Sequence, residues 1–71
     1  MDRNDCAKLE RYLRRLLNNS SIRVTPRPRK TDSAEFFVGE EFVGIISEDK
    51  EDGERSFNLD IAILELDLED A

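Results

Sequence analysis

Histidine is absent and cysteine occurs once, at Cys6. An internal disulfide is therefore excluded, and the zinc sets built on several Cys and His side chains are missing. Apolar runs are only a few residues long, far short of a membrane span. No glycine-rich phosphate loop, low-complexity linker or domain boundary interrupts the chain. Its 71 residues are expected to form one domain, residues 1–71, near the size limit at which a single core suffices. A lone thiol with no signal-like apolar segment fits a reducing, cytoplasmic compartment.

Charge is plentiful but unevenly placed. Residues 1–30 carry nine Lys or Arg against three Asp or Glu, a balance of +6, whereas residues 31–71 carry two against fourteen, a balance of −12. The net charge of −6 makes this a small acidic protein and disfavours a general nucleic-acid coat, which needs a basic surface. Two readings follow from the asymmetry. Either the halves neutralise each other within the fold, or a basic patch stays available to an anionic partner.

The organising stretch is Ala34 to Ile46, AEFFVGEEFVGII. Gly39-Glu40 suits a two-residue type II′ turn, which sets Val38 opposite Glu41, Phe37 opposite Phe42 and Phe36 opposite Val43. One face of this hairpin then carries Ala34, Phe36, Val38, Val43 and Ile45. The other carries Phe37, Phe42 and Ile46. A hairpin apolar on both faces needs two covers, and a short chain has one helix to offer.

That helix is predicted over Asp2 to Leu17. At 100° per residue, Cys6, Leu9, Tyr12, Leu13, Leu16 and Leu17 share one arc, with Lys8, Arg11, Arg14 and Arg15 opposite. Asp2, Asn4 or Asp5 can cap its start, Glu10 and Arg14 form an i,i+4 pair, and Asn18 to Ser21 end it. Cys6, inside the apolar arc and without a histidine to activate it, reads as a buried hydrophobe rather than a nucleophile.

Ile22 to Arg29 alternates Ile22, Val24, Pro26 and Pro28 with Arg23, Thr25, Arg27 and Arg29, giving a strand with one apolar and one basic face. Proline lacks an N–H for the ladder, so its distal end must lie at an edge or a bulge. Lys30 to Ser33 are expected to turn into the hairpin. After it, Ser47 to Arg55 reads as an acidic loop. Aligned on Gly53 as a calcium loop it would place Lys50 and Leu59 at ligand positions, so no metal is assigned. Ser56 to Leu68 changes apolar phase from odd (Phe57, Leu59, Ile61, Ile63) to even (Leu64, Leu66, Leu68) positions. A bulge or break is therefore expected near Ala62 to Leu64, with the two halves burying opposite faces and the extreme end fraying. The fold class is α+β, an N-terminal amphipathic helix on a three- to four-stranded antiparallel sheet in the order α-β-β-β-β.

The chain resembles a family of short bacterial proteins, mostly alphaproteobacterial, catalogued as a domain of unknown function. The resemblance rests on Tyr12-Leu13-Arg14-Arg15, Ile22-Arg23-Val24, Arg27-Pro28, Asp32-Ser33-Ala34-Glu35, Gly39, Glu41-Phe42, Gly44, Glu51-Asp52-Gly53 and Ala62-Ile63-Leu64. It implies a stand-alone cytoplasmic protein and brings no activity, cofactor or catalytic residue with it.

Catalysis is not expected. Acid–base work would fall to carboxylates that read as surface groups, and the chain is too short to leave a sizeable pocket beside its core. No catalytic residue and no cofactor is assigned. The preferred function is a protein-interaction module that binds a protein partner or itself, as a homodimer, through Phe37, Phe42 and Ile46. The alternative is RNA or single-stranded nucleic-acid binding through Arg11, Arg14, Arg15, Arg23, Arg27 and Arg29, with Phe37 and Phe42 as stacking platforms. Membrane binding is not expected.

Overall fold

The computed structural model describes residues 1–69, and the expected fraying of the extreme end concerns Asp70 and Ala71, which lie outside the described residues. Helix α1 runs Arg3–Leu16. Asp2 caps it, its carboxylate accepting from the Asp5 N–H at 2.8 Å, which satisfies one of the helix's unpaired first-turn donors. The far end closes in a Schellman pattern. Asn18 takes a positive φ of 52°, its N–H donates to the Arg15 carbonyl at 3.3 Å, and Asn19 donates to Arg14 at 3.0 Å. Asparagine tolerates that left-handed geometry better than a branched residue would.

Four strands follow: β1 (Ile22–Arg27), β2 (Lys30–Val38), β3 (Glu41–Asp49) and β4 (Ser56–Ile61). They form one antiparallel sheet in the order β1-β2-β3-β4, a meander in which each strand pairs with its neighbour in sequence. The architecture is thus α+β with the expected α-β-β-β-β order. A 3-10 turn at Glu51–Gly53 connects β3 to β4, and a short helix α2 (Glu65–Glu69) follows the sheet.

The β2–β3 turn falls at Gly39-Glu40 as predicted. Gly39 has φ +63° while Glu40 stays negative, which fits a type II′ turn. Val38 faces Glu41 and Phe37 faces Phe42, but Phe36 then faces Gly44, not Val43. Val43 is the extra residue of a β-bulge, and the phase of β3 reverses beyond it. Ile45 and Ile46 therefore exchange the faces the sequence alone suggests. Ile46 turns inward to 1% exposure, and Ile45 turns outward beside Glu35.

The core comprises Cys6, Leu13, Ile22, Val24, Ala34, Phe36 and Ile46, with Met1, Leu9, Val38, Val43, Phe57 and Leu59 packed around it. Of the six apolar residues on the α1 arc, only Cys6 and Leu13 are buried. Tyr12, Leu16 and Leu17 remain about half exposed because α1 lies chiefly over β1 at one edge of the sheet. The turn after β1 falls at Pro28-Arg29 and not at Lys30–Ser33, which already belong to β2. The β1–β2 register breaks after Pro26, the position where proline interrupts the ladder. Beyond Ile61 the chain leaves the sheet. The break near Ala62–Leu64 occurs as expected, yet the segment after it is helical and its leucines bury no face: Leu64, Leu66 and Leu68 are 58–67% exposed.

Candidate interaction surface

Strand pairing assigns each side chain to a face, because residues opposite each other in an antiparallel ladder point the same way. The face turned away from α1 carries Arg23 and Thr25 from β1, Glu35 and Phe37 from β2, Phe42 and Ile45 from β3, and Asn58 and Asp60 from β4. Phe37 and Phe42 are directly opposed, and their rings meet edge to face with centroids 5.6 Å apart and planes at 61°. Such a pair contributes about 0.5–1.5 kcal/mol beyond area burial. The Arg23 guanidinium lies 5.3 Å from the Phe37 ring centre, a cation–π contact that closes the patch on the β1 side. Phe42 is 50% exposed. Toward β4 the patch runs into a shallow depression of about 450 Å³ lined by Phe42, Ile45, Asp60, Ile61, Ala62 and Leu64.

Of the three expected protein-binding residues, the structure brings Phe37 and Phe42 together on this face. Ile46 is corrected: the Val43 bulge rotates it into the core, and Ile45 takes its place outside. A glycine within a strand marks bulges and close backbone approaches, so Gly44 was the signal for this change of phase. A Cβ on Gly44 would collide with the Asp60 carbonyl oxygen.

The six candidate anion-binding arginines are divided between the two sides of the molecule. Arg14 is structural. Its Nε donates to the Ile22 carbonyl at 2.7 Å, and its guanidinium lies 3.6 Å from Glu10, whose Oε1 accepts from the Val24 N–H at 3.1 Å. Arg27 donates to the Ser33 hydroxyl at 3.4 Å. Arg15 lies 5.7 Å from the Tyr12 ring centre on α1, next to exposed Arg11. Arg23 stands on the opposite side of the sheet, and Arg29 lies in the β1–β2 turn. Among the described residues the ion pair that joins the two halves of the chain runs from acidic Asp5 in the first to basic Arg55 in the second.

Arg55 is the hub of a second, polar site. It bonds Asp5 on α1, lies 3.5 Å from Glu48 and covers the Phe57 ring at 4.9 Å. The hydrogen bond from Arg55 holds the Asp5 carboxyl below its ordinary value of 3.8, against some desolvation. Lys50 adds a 3.5 Å contact to Glu48. Among the described residues no group of three or more metal-ligating side chains converges. Burial pushes the Cys6 thiol above its ordinary pKa, away from the reactive thiolate.

The family model for a protein of unknown function, DUF3126, matches residues 5–67. The chain belongs to that family. The matched segment takes in α1 from Asp5 onward, the whole sheet and the start of α2, so the Phe37 and Phe42 rings and the Arg55 hub lie within it. Curated proteins and solved structures gave no match. No helix among the described residues is long and apolar enough to cross a membrane.

Proposed function

We propose that this protein is a small non-catalytic interaction module, acting in a bacterial and specifically alphaproteobacterial cytoplasm, that docks a protein partner on the outer face of its sheet. The observation that carries the reading is the Phe37–Phe42 pair. It lies on a sheet face over which no second layer packs among the described residues, and it leads into an apolar depression. Covering the exposed half of Phe42 contributes about 1 kcal/mol, roughly half the value of burying a whole phenylalanine. Arg23, Glu35 and Asp60 surround the rings and give the patch a polar, mixed-charge rim, the arrangement of a protein-binding surface. The non-catalytic part of the reading is supported by the absence of histidine and by the burial of the one thiol.

Arg23 stacked on Phe37 favours a second reading, in which the rings receive nucleic-acid bases. Glu35 and Asp60 on the same face repel phosphates and rank it below the first. Co-purification from the native organism tests the preference. Wild type retains a stoichiometric protein partner and Phe42→Asp loses it while keeping its circular dichroism. An unchanged partner set in the variant, or micromolar binding of single-stranded RNA with a steep salt dependence, overturns the reading.

A further inference from the structure

The inner face of the sheet is covered unevenly. α1 sits over β1, so on the β4 side a groove of about 300 Å³ remains, lined by Leu9, Tyr12, Leu13, Ile46, Phe57 and Leu59. It is apolar throughout apart from the tyrosine hydroxyl. The same chain carries an apolar element with nothing to cover. Leu64, Leu66 and Leu68 of the α2 segment are 60%, 67% and 58% exposed, and α2 lies toward the Glu41–Val43 end of the sheet, away from the groove. Leu64 and Leu68 are four apart and share one side of the helical turn.

Charge pairs the two. Glu65, Asp67 and Glu69 make α2 uniformly acidic. On α1, Lys8 and Arg15 are exposed and adjoin Tyr12 at i−4 and i+3, so this stretch of the groove's α1 side carries positive charge, while Asp5 nearer its end is paired with Arg55. An acidic leucine helix and an apolar groove with Lys8 and Arg15 beside it are complementary in both respects that set docking, apolar burial and electrostatic register.

We propose that the α1–β4 groove receives the α2 segment of a second copy of this chain, and that the exchange is reciprocal. Two grooves and two tails then close into a two-fold dimer that leaves no unfilled site. The contact lies on the inner side of the sheet, distinct from the Phe37–Phe42 face, so it stands or falls separately from the partner-docking reading.

Sedimentation equilibrium of the full chain tests it with paired charge reversals. Asp67 is left unchanged because its carboxylate accepts from the Leu64 N–H at 3.0 Å and holds the start of α2. Wild type is expected to sediment as a concentration-dependent dimer. Lys8→Glu with Arg15→Glu, and separately Glu65→Lys with Glu69→Lys, should each weaken it about tenfold or more. Mixing the two variants should restore association as a one-to-one heterodimer, and Leu64→Asp with Leu68→Asp should abolish it. All these positions are exposed, so the variants are expected to stay folded by circular dichroism. A wild type monomeric into the millimolar range overturns the proposal, and so does a dimer indifferent to the tail. A dimer lost only in Phe37→Asp with Phe42→Asp moves self-association to the outer face and overturns it as well. In a half-labelled sample, isotope-filtered contacts between tail leucine methyls and the Tyr12 or Phe57 ring must run between copies. Contacts confined to one copy would show the tail folding onto its own groove and refute the exchange.

Discussion

The two sides of α1 are attached to the sheet by different physics. Toward β1 the seam is packed and hydrogen-bonded: Cys6 and Leu13 meet Ile22 and Val24 in the core, while Glu10 and Arg14 take up the Val24 N–H and the Ile22 carbonyl. An edge strand's unpaired backbone groups invite other chains, and here α1 occupies two of them. Toward β4 the seam is an open groove bridged at one end by the Arg55–Asp5 ion pair. One helix of this length cannot seal four strands, so the chain seals two and leaves the others half covered. The strongest contrast should appear on truncating one aromatic ring from each side. Phe36→Ala, at 1% exposure, is expected to cost about 3–5 kcal/mol in urea unfolding, whereas Phe57→Ala, only partly buried, should cost less than half as much. Equal losses would mean that the β4 side is as tightly packed as the β1 side.

Gly44 sharpens the comparison at the join between them. It sits next to the Val43 bulge and opposite Ile61, where β3 passes close to the β4 backbone. A methyl group there meets the Asp60 carbonyl oxygen, and backbone cannot step aside as a flexible side chain would. Gly44→Ala should therefore cost about 1–3 kcal/mol. Hydrogen exchange should speed up in β4 before β1, because the strain falls on the β3–β4 ladder. Faster exchange confined to β1 would contradict this placement.

The same glycine marks the limit of what could be read from the residues. The helix, a cap among Asp2, Asn4 and Asp5, the Gly39-Glu40 turn and the α-β-β-β-β succession of elements were legible because each depends on local spacing, whereas the order of strands in the sheet was left open. The bulge was not placed: Gly44 signals an irregularity in the strand, but which residue is the extra one depends on the pairing of β2 with β3. It moved Ile46 inward and Ile45 outward and so altered one residue of the candidate site while leaving Phe37 and Phe42 in place. Leu64, Leu66 and Leu68 misled in another way. Three alternating leucines look like a strand, but the segment has no neighbouring strand to pair with. Asp67 instead caps a helical turn through the Leu64 N–H. The α1–β4 groove escaped notice because its lining comes from both ends of the chain and depends on where α1 comes to rest.

Arg14→Ala probes the closed side more gently. It removes the 2.7 Å bond to the Ile22 carbonyl and the partner of Glu10, and should cost about 1 kcal/mol in thermal or urea unfolding. Because Ile22 sits at the free edge of the sheet, exposure of that carbonyl to water limits the loss. A neutral result would shift the weight of the α1–β1 seam entirely onto Cys6, Leu13 and their apolar partners.

The smallest effect should come from the open side, where Arg55 is exposed, Asp5 is partly covered and their pair is screened by salt. Folding lowers the Asp5 pKa through the Arg55 hydrogen bond, so near the ordinary value of 3.8 the unfolded chain binds more protons than the folded one. Stability from this pair is therefore present above that pH and is lost as pH falls through the lower folded value. Asp5→Asn removes the titrating group. Its unfolding midpoint should decline less steeply than that of wild type in the acid range, with the difference shrinking in high salt. If both proteins show the same acid slope, charge does not hold α1 to β4, and the groove must be kept open or closed by its apolar walls alone.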